Sequence, residues 1–456
     1  MKIKLHVTAL CFIYLTNAVE LKAQEVETTE VEQFEQRTQM LESAIKTLQK
    51  FKVSGYIQTQ YQVAQENAEL STNMKVGGPN ENIDTSYSRF GIRRGRIKFT
   101  YEEGIASGVF QLDITESGVG VKDAYLNIKD PWFQTSNLRS GIFERTFGYE
   151  ISYSSSRRES PERSTIFQTL FPNERDLGTA IYLQPAKTSP LNFLHLDIGI
   201  FAGNGIKSEM DNRLDFIGRL YATNNIGSHA KYGIGASYYN GGMMQLSKSV
   251  YTMDGDAFVL DKDSAGNFRK YAKREYFGID GQFNIIAKAG MTKIHAEYLF
   301  GQQPGLKASS KSPNTGVLGT VIREMNPDLV INDTYIRNFS GGYIMFTQDL
   351  GKLPFTAVLK YDWYDPNTKV KGSETGKEVG QDQYKTGFAD LTQNTLGFGA
   401  LWRVNNNFRL TAYYEINNYE KSDLLYAFNP KTNGEKTYVV DNLKRNVFTL
   451  RLQYKF

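Results

Sequence analysis

The chain has 456 residues, a hydrophobic content of only 40% and a mean hydropathy of -0.45, too polar for a bundle of membrane-spanning helices. Its 28 tyrosines, 28 phenylalanines and 40 glycines favour strands and tight corners. A formal charge of +4 is too small to mark a nucleic-acid partner, and the one cysteine, Cys11, excludes disulfides.

The N-terminus reads MKIKLHVTALCFIYLTNAVELKAQ. Lys2 and Lys4 precede an apolar run from Leu5 to Val19, and Leu21 and Ala23 fall at the positions of a cleavage site. The pattern predicts a secretory signal peptide over 1–23, the other reading being an uncleaved anchor. Leu10 stands before Cys11 where a lipoprotein signal wants a small residue, so lipidation is not expected. Removing 1–23 takes away three lysines and one glutamate, which brings the formal charge from +4 to +2 and leaves no thiol.

In the next segment, 24–51, Val31, Phe34, Leu41, Ile45 and Leu48 occupy a and d positions of heptads, with Thr38 the one polar member. This predicts a short periplasmic coiled-coil helix and favours a homotrimer; a single amphipathic helix lying on its own protein is the alternative.

Over 52–456 the period changes to two. About sixteen segments alternate, among them GVFQLDIT (Phe110, Leu112 and Ile114 against Gln111, Asp113 and Thr115) and TKIHAEYLF (Ile294, Ala296, Tyr298 and Phe300 against Lys293, His295 and Glu297). PFTAVLKYDWY, LGFGALWR and LTAYYEIN behave alike, and the chain ends on NVFTLRLQYKF, with Phe448, Leu450, Leu452, Tyr454 and Phe456 on one face. Links after even segments are mostly short and links after odd ones mostly long, the tight link near Gly118 being the exception. Short turns on one rim and long loops on the other predict a transmembrane antiparallel β-barrel in the bacterial outer membrane, all-β apart from the helix, with both termini on the short-turn side. A soluble β-helix or sandwich would not produce the rim asymmetry. Tyr56, Tyr61, Phe99, Tyr101, Trp363, Trp402 and Phe456 are candidates for interfacial girdles, meeting outer-membrane lipid.

The stretch from Ser88 to Leu183 carries SRFGIRRGRIKFTYEEG, VKDAYLNIKDPW, LRSGIFERTFGYEISYSSSRRESPERS and LFPNERDLGTAIYL in that order. This succession resembles the phosphate-selective porin O and P family, in its Bacteroidetes branch. It departs from that pattern in having Thr146 and Phe147 after Arg145, where the family often has Pro and Phe. The resemblance implies a sixteen-stranded trimer with a loop folded into the lumen.

A barrel of that size holds an aqueous channel, so its selectivity comes from whatever narrows it. The candidate constriction is the loop 148–177, with Arg157, Arg158, Glu159, Glu162, Arg163, Glu174, Arg175 and Asp176; a solvated outer loop is the alternative. Parity places Arg94, Arg96 and Lys98 on the lumen face of the second strand, and Arg139 and Arg145 add to the same wall. Cations two residues apart attract anions unless carboxylates such as Asp113, Asp123 or Glu144 pair with them. Because loop glutamates largely cancel loop arginines, the expectation is a field of both signs with a mild anion preference, passing small anionic or neutral solutes; these residues do not support phosphate specificity.

DKDSAGN at 261–267 begins like a calcium loop but has Ala265 and Ala272 at ligand positions, so it reads as a plain turn. His6, His195, His229 and His295 show no ligand spacing; His195 and His295 fall on lumen faces. No nucleophile motif, P-loop or dinucleotide fingerprint is present, so neither catalysis, a cofactor nor a metal is expected. The sequence therefore predicts a porin for small hydrophilic solutes, with a barrel receptor or adhesin and a barrel hydrolase as alternatives.

Overall fold

The structure, a computed structural model, describes residues 30–65, 68, 87–207, 209–261, 266–312, 317–318, 333–381, 383–428 and 436–456. The expected signal peptide, His6, the loop 66–86 apart from Ala68, and residues 262–265 of the calcium-like turn lie outside the described residues. The chain forms two units divided between Phe51 and Lys52.

The first unit contains helix α1 (Glu30–Gln49). Phe34, Leu41, Ile45 and Leu48 are all more than half exposed along it. An apolar stripe left open in this way is the face a coiled coil buries.

The second unit holds a sheet of twenty strands, of which sixteen form a closed wall, and a separate two-stranded sheet of Leu425–Phe428 and Lys436–Val439. The wall strands are β1 (Phe51–Ala64), β2 (Tyr87–Glu103), β3 (Ala106–Thr115), β4 (Gly118–Lys129), β5 (Asn137–Glu144), β6 (Arg175–Leu183), β7 (Leu194–Phe201) and β8 (Asp215–Ile226). There follow β9 (Ala230–Gln245), β10 (Tyr271–Ala287), β11 (Gly290–Gly305), β12 (Thr334–Asp349), β13 (Phe355–Asp365), β14 (Gln393–Arg403), β15 (Phe408–Tyr419) and β16 (Val447–Lys455). Each pairs antiparallel with its neighbour, and β16 closes the ring on β1 from Tyr56↔Lys455 to Ala64↔Val447. Short strands Val250–Asp254, Ala257–Leu260, Val317–Leu318 and Gln383–Lys385 extend the sheet within the long loops.

Closure explains the alternation. A closed ring leaves no unpaired edge, so its backbone polar groups are satisfied whatever solvent lies outside. Leu359, Phe398 and Leu452 are 48%, 44% and 44% exposed on the outer face, whereas Thr449, Arg451 and Gln453, one residue out of phase, are 0%, 3% and 5% exposed within. An apolar outside and a polar inside invert the soluble pattern, and only lipid can cover such a face without cost.

The rims differ as expected. Links 104–105, 227–229, 288–289, 350–354 and 404–407 are short, and 65–86, 145–174, 246–270, 306–333, 366–392 and 420–446 are long. The exception stands: β3 and β4 are joined by 116–117, with Gly118 at φ 126 where a side chain would be strained. At the inner rim Asp130 accepts the N–H groups of Trp132, Phe133 and Gln134, holding both rings outward, Trp132 at 81% exposure. They suit an interfacial girdle, whereas Tyr56 does not: it is buried in the lumen, on the inward parity of β1, with its hydroxyl 2.6 Å from Ser155 Oγ. The alternation that places Ile57 outside necessarily turns Tyr56 inside.

Candidate functional site

The long link after β5 folds into the barrel rather than over it. The expected loop ended at 177, but Arg175, Asp176 and Leu177 already belong to β6, so the loop is 145–174. It carries two short helices, α2 (Tyr149–Ser152) and α3 (Thr165–Leu170). Phe147, Ile151, Ile166, Phe167, Leu170 and Phe171 share a buried cluster with wall residues including Tyr239, Tyr276, Phe339 and Tyr343. That apolar contact fastens the base of the loop to one side of the barrel.

Charge fastens its turns. Gly148, at φ 65, passes so close to Glu297 that a Cβ would collide with the carboxylate, and that carboxylate accepts the N–H groups of Tyr149 (3.1 Å) and Glu150 (3.0 Å). These are orphan donors of a first helical turn, so the wall supplies the cap. Glu150 in turn takes Lys360 Nζ at 2.9 Å and the N–H of Ser164 at 3.1 Å. Burial opposes its ionisation, but Lys360 and Arg158 outweigh burial and lower its pKa.

The tip, Ser155 to Glu162, crosses to the seam where the first strands meet the last. Ser155 receives hydrogen bonds from Gln58 (3.1 Å, to its carbonyl) and Arg96 (3.1 Å, to its hydroxyl). Glu162 accepts from Arg93 through Nε and Nη2, from Arg94 and from Arg451, each at 2.8 Å. Burial works against this carboxylate, yet the three guanidiniums hold it well below the usual glutamate range. Glu159 pairs with Lys293 at 2.9 Å, and Glu174 pairs with Arg163 and with Lys122 at 2.8 Å. Arg158 is buried with, among the described residues, only the carbonyls of Ser160 and Pro161 as hydrogen-bond partners, and burial, Arg163 and Arg94 all weaken its charge.

Thus anchored on both sides, the loop divides the lumen. An outer cavity of about 770 Å³ is lined by Gln62, Glu162, Arg163, Asp362 and Glu415 among others, and an inner one of about 260 Å³, beside Ser54 and Lys455 near the chain ends, by Arg96, Lys98, Asp123, Ser155, Arg163 and Arg175. Among the described residues, Arg163 is the one common to both linings, so its guanidinium forms part of the partition.

The expected site residues separate into groups. Arg94, Arg96, Arg158, Glu159, Glu162, Arg163 and Arg175 converge on the loop and its seam, and Lys98 lines the inner cavity without an ion pair among the described residues. Arg96 lies 3.4 Å from Asp113, Arg175 2.9 Å from Asp123 and Arg139 3.6 Å from Glu144, so wall pairing accounts for these three. Arg139 is held over the rings of Tyr125 and Tyr182, both at 4.6 Å, and lines neither cavity. Arg145 is buried against Asp176 at 2.9 Å behind the loop, and Arg157 is exposed. Sequence reasoning missed Arg93, Arg451, Lys360 and Glu150 as members of the site. Arg451 and Lys360 were accessible from strand parity; Arg93 was not, because Phe90 and Ile92 face outward while adjacent Arg93 and Arg94 both reach Glu162, so alternation breaks there.

No family model matches the chain, so the resemblance over residues 88–183 rests on those residues alone. No curated protein sequence matches it either. Solved structures similar to it include the trimer form of in-vitro folded OmpT, an outer membrane protein of Vibrio cholerae, at 12% identity, covering 89% of this chain and 99% of that one with a TM-score of 0.46. The anion-selective porin from Comamonas acidovorans is 10% identical over 89% of this chain and 99% of its own, TM-score 0.46. Salmonella typhi OmpF in complex with daunomycin is 10% identical over 89% and 97%, TM-score 0.49. At that distance the likeness carries no functional argument, and the functional reading stands on the closed sheet and its lumen.

Proposed function

We propose that the protein is an outer-membrane porin through which small hydrophilic solutes diffuse passively, of the phosphate-selective porin O and P type in its Bacteroidetes branch. The observation that carries this reading is the barrel interior: charged side chains line cavities on either side of an inward-folded loop, within a wall whose outer face is apolar. A receptor or adhesin would place its function in the outer loops, and a barrel hydrolase would need a nucleophile beside a base; the lumen instead offers paired charges and water-sized space.

Entry of the chain into the barrel on the short-turn rim supports a periplasmic α1, and the open heptad stripe of α1 supports a trimer. A mild anion preference is supported by Lys98, a cation that lines the inner cavity with no ion pair among the described residues, whereas most other lumen charges are paired. Planar-bilayer recording tests the reading: the folded oligomer conducts, in steps of three, and its reversal potential in a salt gradient carries the anion sign. A folded, heat-modifiable oligomer that passes no current refutes it.

A further inference from the structure

The outer cavity holds charges of both signs that the barrel leaves unmatched. Its other carboxylates are engaged: Glu162 by the three arginines, and Asp362 by the N–H of Thr165 at 3.0 Å and Lys360 at 4.0 Å. Glu415 differs. It lies on the inward face of β15 and lines the cavity, and its carboxylate has neither an ion pair nor a hydrogen bond among the described residues. At the other end of the same row, Arg445 lays its guanidinium over the ring of Tyr419 at 4.0 Å and has no ion pair among the described residues.

The spacing between these poles is set by the strand. Glu415, Asn417 and Tyr419 are alternate residues and face the lumen together. At about 3.3 Å per residue, Glu415 and Tyr419 stand about 13 Å apart along the wall. Asn417, between them, donates to the carbonyl of Arg445 at 2.9 Å and holds its backbone beside the row, and the ring of Tyr419 sets its guanidinium at the outer end. A negative pole, an amide and a positive pole therefore follow one another toward the mouth.

A free anion meets attraction at Arg445 and repulsion at Glu415, and a free cation meets the reverse. Only a solute carrying both charges at the right separation satisfies both. An extended peptide spans about 3.3–3.6 Å per residue, so four residues bring its termini to this distance. A guanidinium holds a terminal carboxylate through paired N–H donors, and about 770 Å³ is within the range of small-ligand sites.

We propose that the outer cavity is a binding site for extended zwitterionic peptides of about four residues, with the terminal ammonium on Glu415 and the terminal carboxylate on Arg445. The proposal deepens the porin reading, on which it rests, by naming a solute class for the outer vestibule.

Isothermal titration of the detergent-solubilised full chain with tetraalanine, N-acetyl-tetraalanine and tetraalanine amide tests it. Free tetraalanine binds, and each cap weakens binding by about tenfold or more, as expected for loss of a charge-assisted contact. Glu415→Gln abolishes discrimination against the acetylated peptide alone, and Arg445→Gln abolishes it against the amide alone. Equal binding of capped and free peptides, or no binding of tetraalanine to folded protein, overturns the proposal. Conductance is read separately, so a channel without peptide binding refutes the site and leaves the porin reading intact, and the absence of conductance refutes the porin reading whatever the calorimeter shows.

Discussion

Replacing Glu162 with glutamine removes the charge that holds the loop tip across the lumen. The carboxylate takes four N–H donors from Arg93, Arg94 and Arg451, each at 2.8 Å. Arg94 and Arg451 side chains are 3% and 4% exposed, so the change leaves two buried guanidiniums without a counter-ion. Breaking a buried pair from one side costs about 3–5 kcal/mol. Arg93, at 21%, still reaches water, which places the cost at the lower end, about 3 kcal/mol, or a shift on the order of a hundredfold toward the undocked tip. The apolar base around Phe167 and Tyr276 is untouched, so the barrel still folds and only Ser155 to Glu162 lets go. Single-channel recording of the variant shows larger, noisier conductance, and its reversal potential moves toward anions because one negative charge is lost. A folded variant with unchanged conductance and reversal potential refutes the view that the ion-paired tip limits the pore.

Arg163→Ala joins the outer and inner cavities and raises the rate of solute entry in liposome swelling, whereas Arg163→Lys keeps the wild-type rate; equal rates in all three remove Arg163 from the partition. Arg94, Arg96 and Lys98 exchanged together for glutamine move the reversal potential toward cations, and no movement means that their charge is wholly cancelled by their partners. Glu150, Glu162 and Glu174 are held below their ordinary value of 4.5, against burial, by their cationic partners. The stability they lend is therefore complete above that value and is lost as pH falls through their lower, folded-state pKa values. Channel noise stays constant from pH 7 to about 4.5 and rises only below it; a transition centred near pH 6 contradicts this. Leu359→Arg, on the outer face of β13, costs about 2–4 kcal/mol in denaturant unfolding from lipid vesicles, as a charge facing hydrocarbon does, and a cost under about 0.5 kcal/mol argues against lipid at that face.

How much of this was legible in the sequence follows from the range of the interactions involved. Strand parity is local, so NVFTLRLQYKF already announced Leu452 and Tyr454 outside and Arg451 and Gln453 inside, as the pairing of β16 with β1 places them. Rim asymmetry is nearly as local, since it needs only the lengths of links. The tip contacts are not local: Glu162 meets Arg451 across 289 residues, and no pattern in either segment names the other. Nor does parity survive an interruption, which hid Arg93, or distinguish a lumen tyrosine from a girdle tyrosine unless applied strictly, which is why Tyr56 was misplaced. Loop arginines were visible as a group, but whether each faces a carboxylate, as Arg163 faces Glu174, or hydrogen-bonds to carbonyls, as Arg158 does, depends on how the loop turns.

The central claim is that the barrel encloses a path for water and solutes across an outer membrane. Conductance of the purified oligomer in a planar bilayer tests it most directly. The account predicts stepwise insertion in triplets, with a steady open current at neutral pH. A correctly folded oligomer that inserts and stays electrically silent contradicts it.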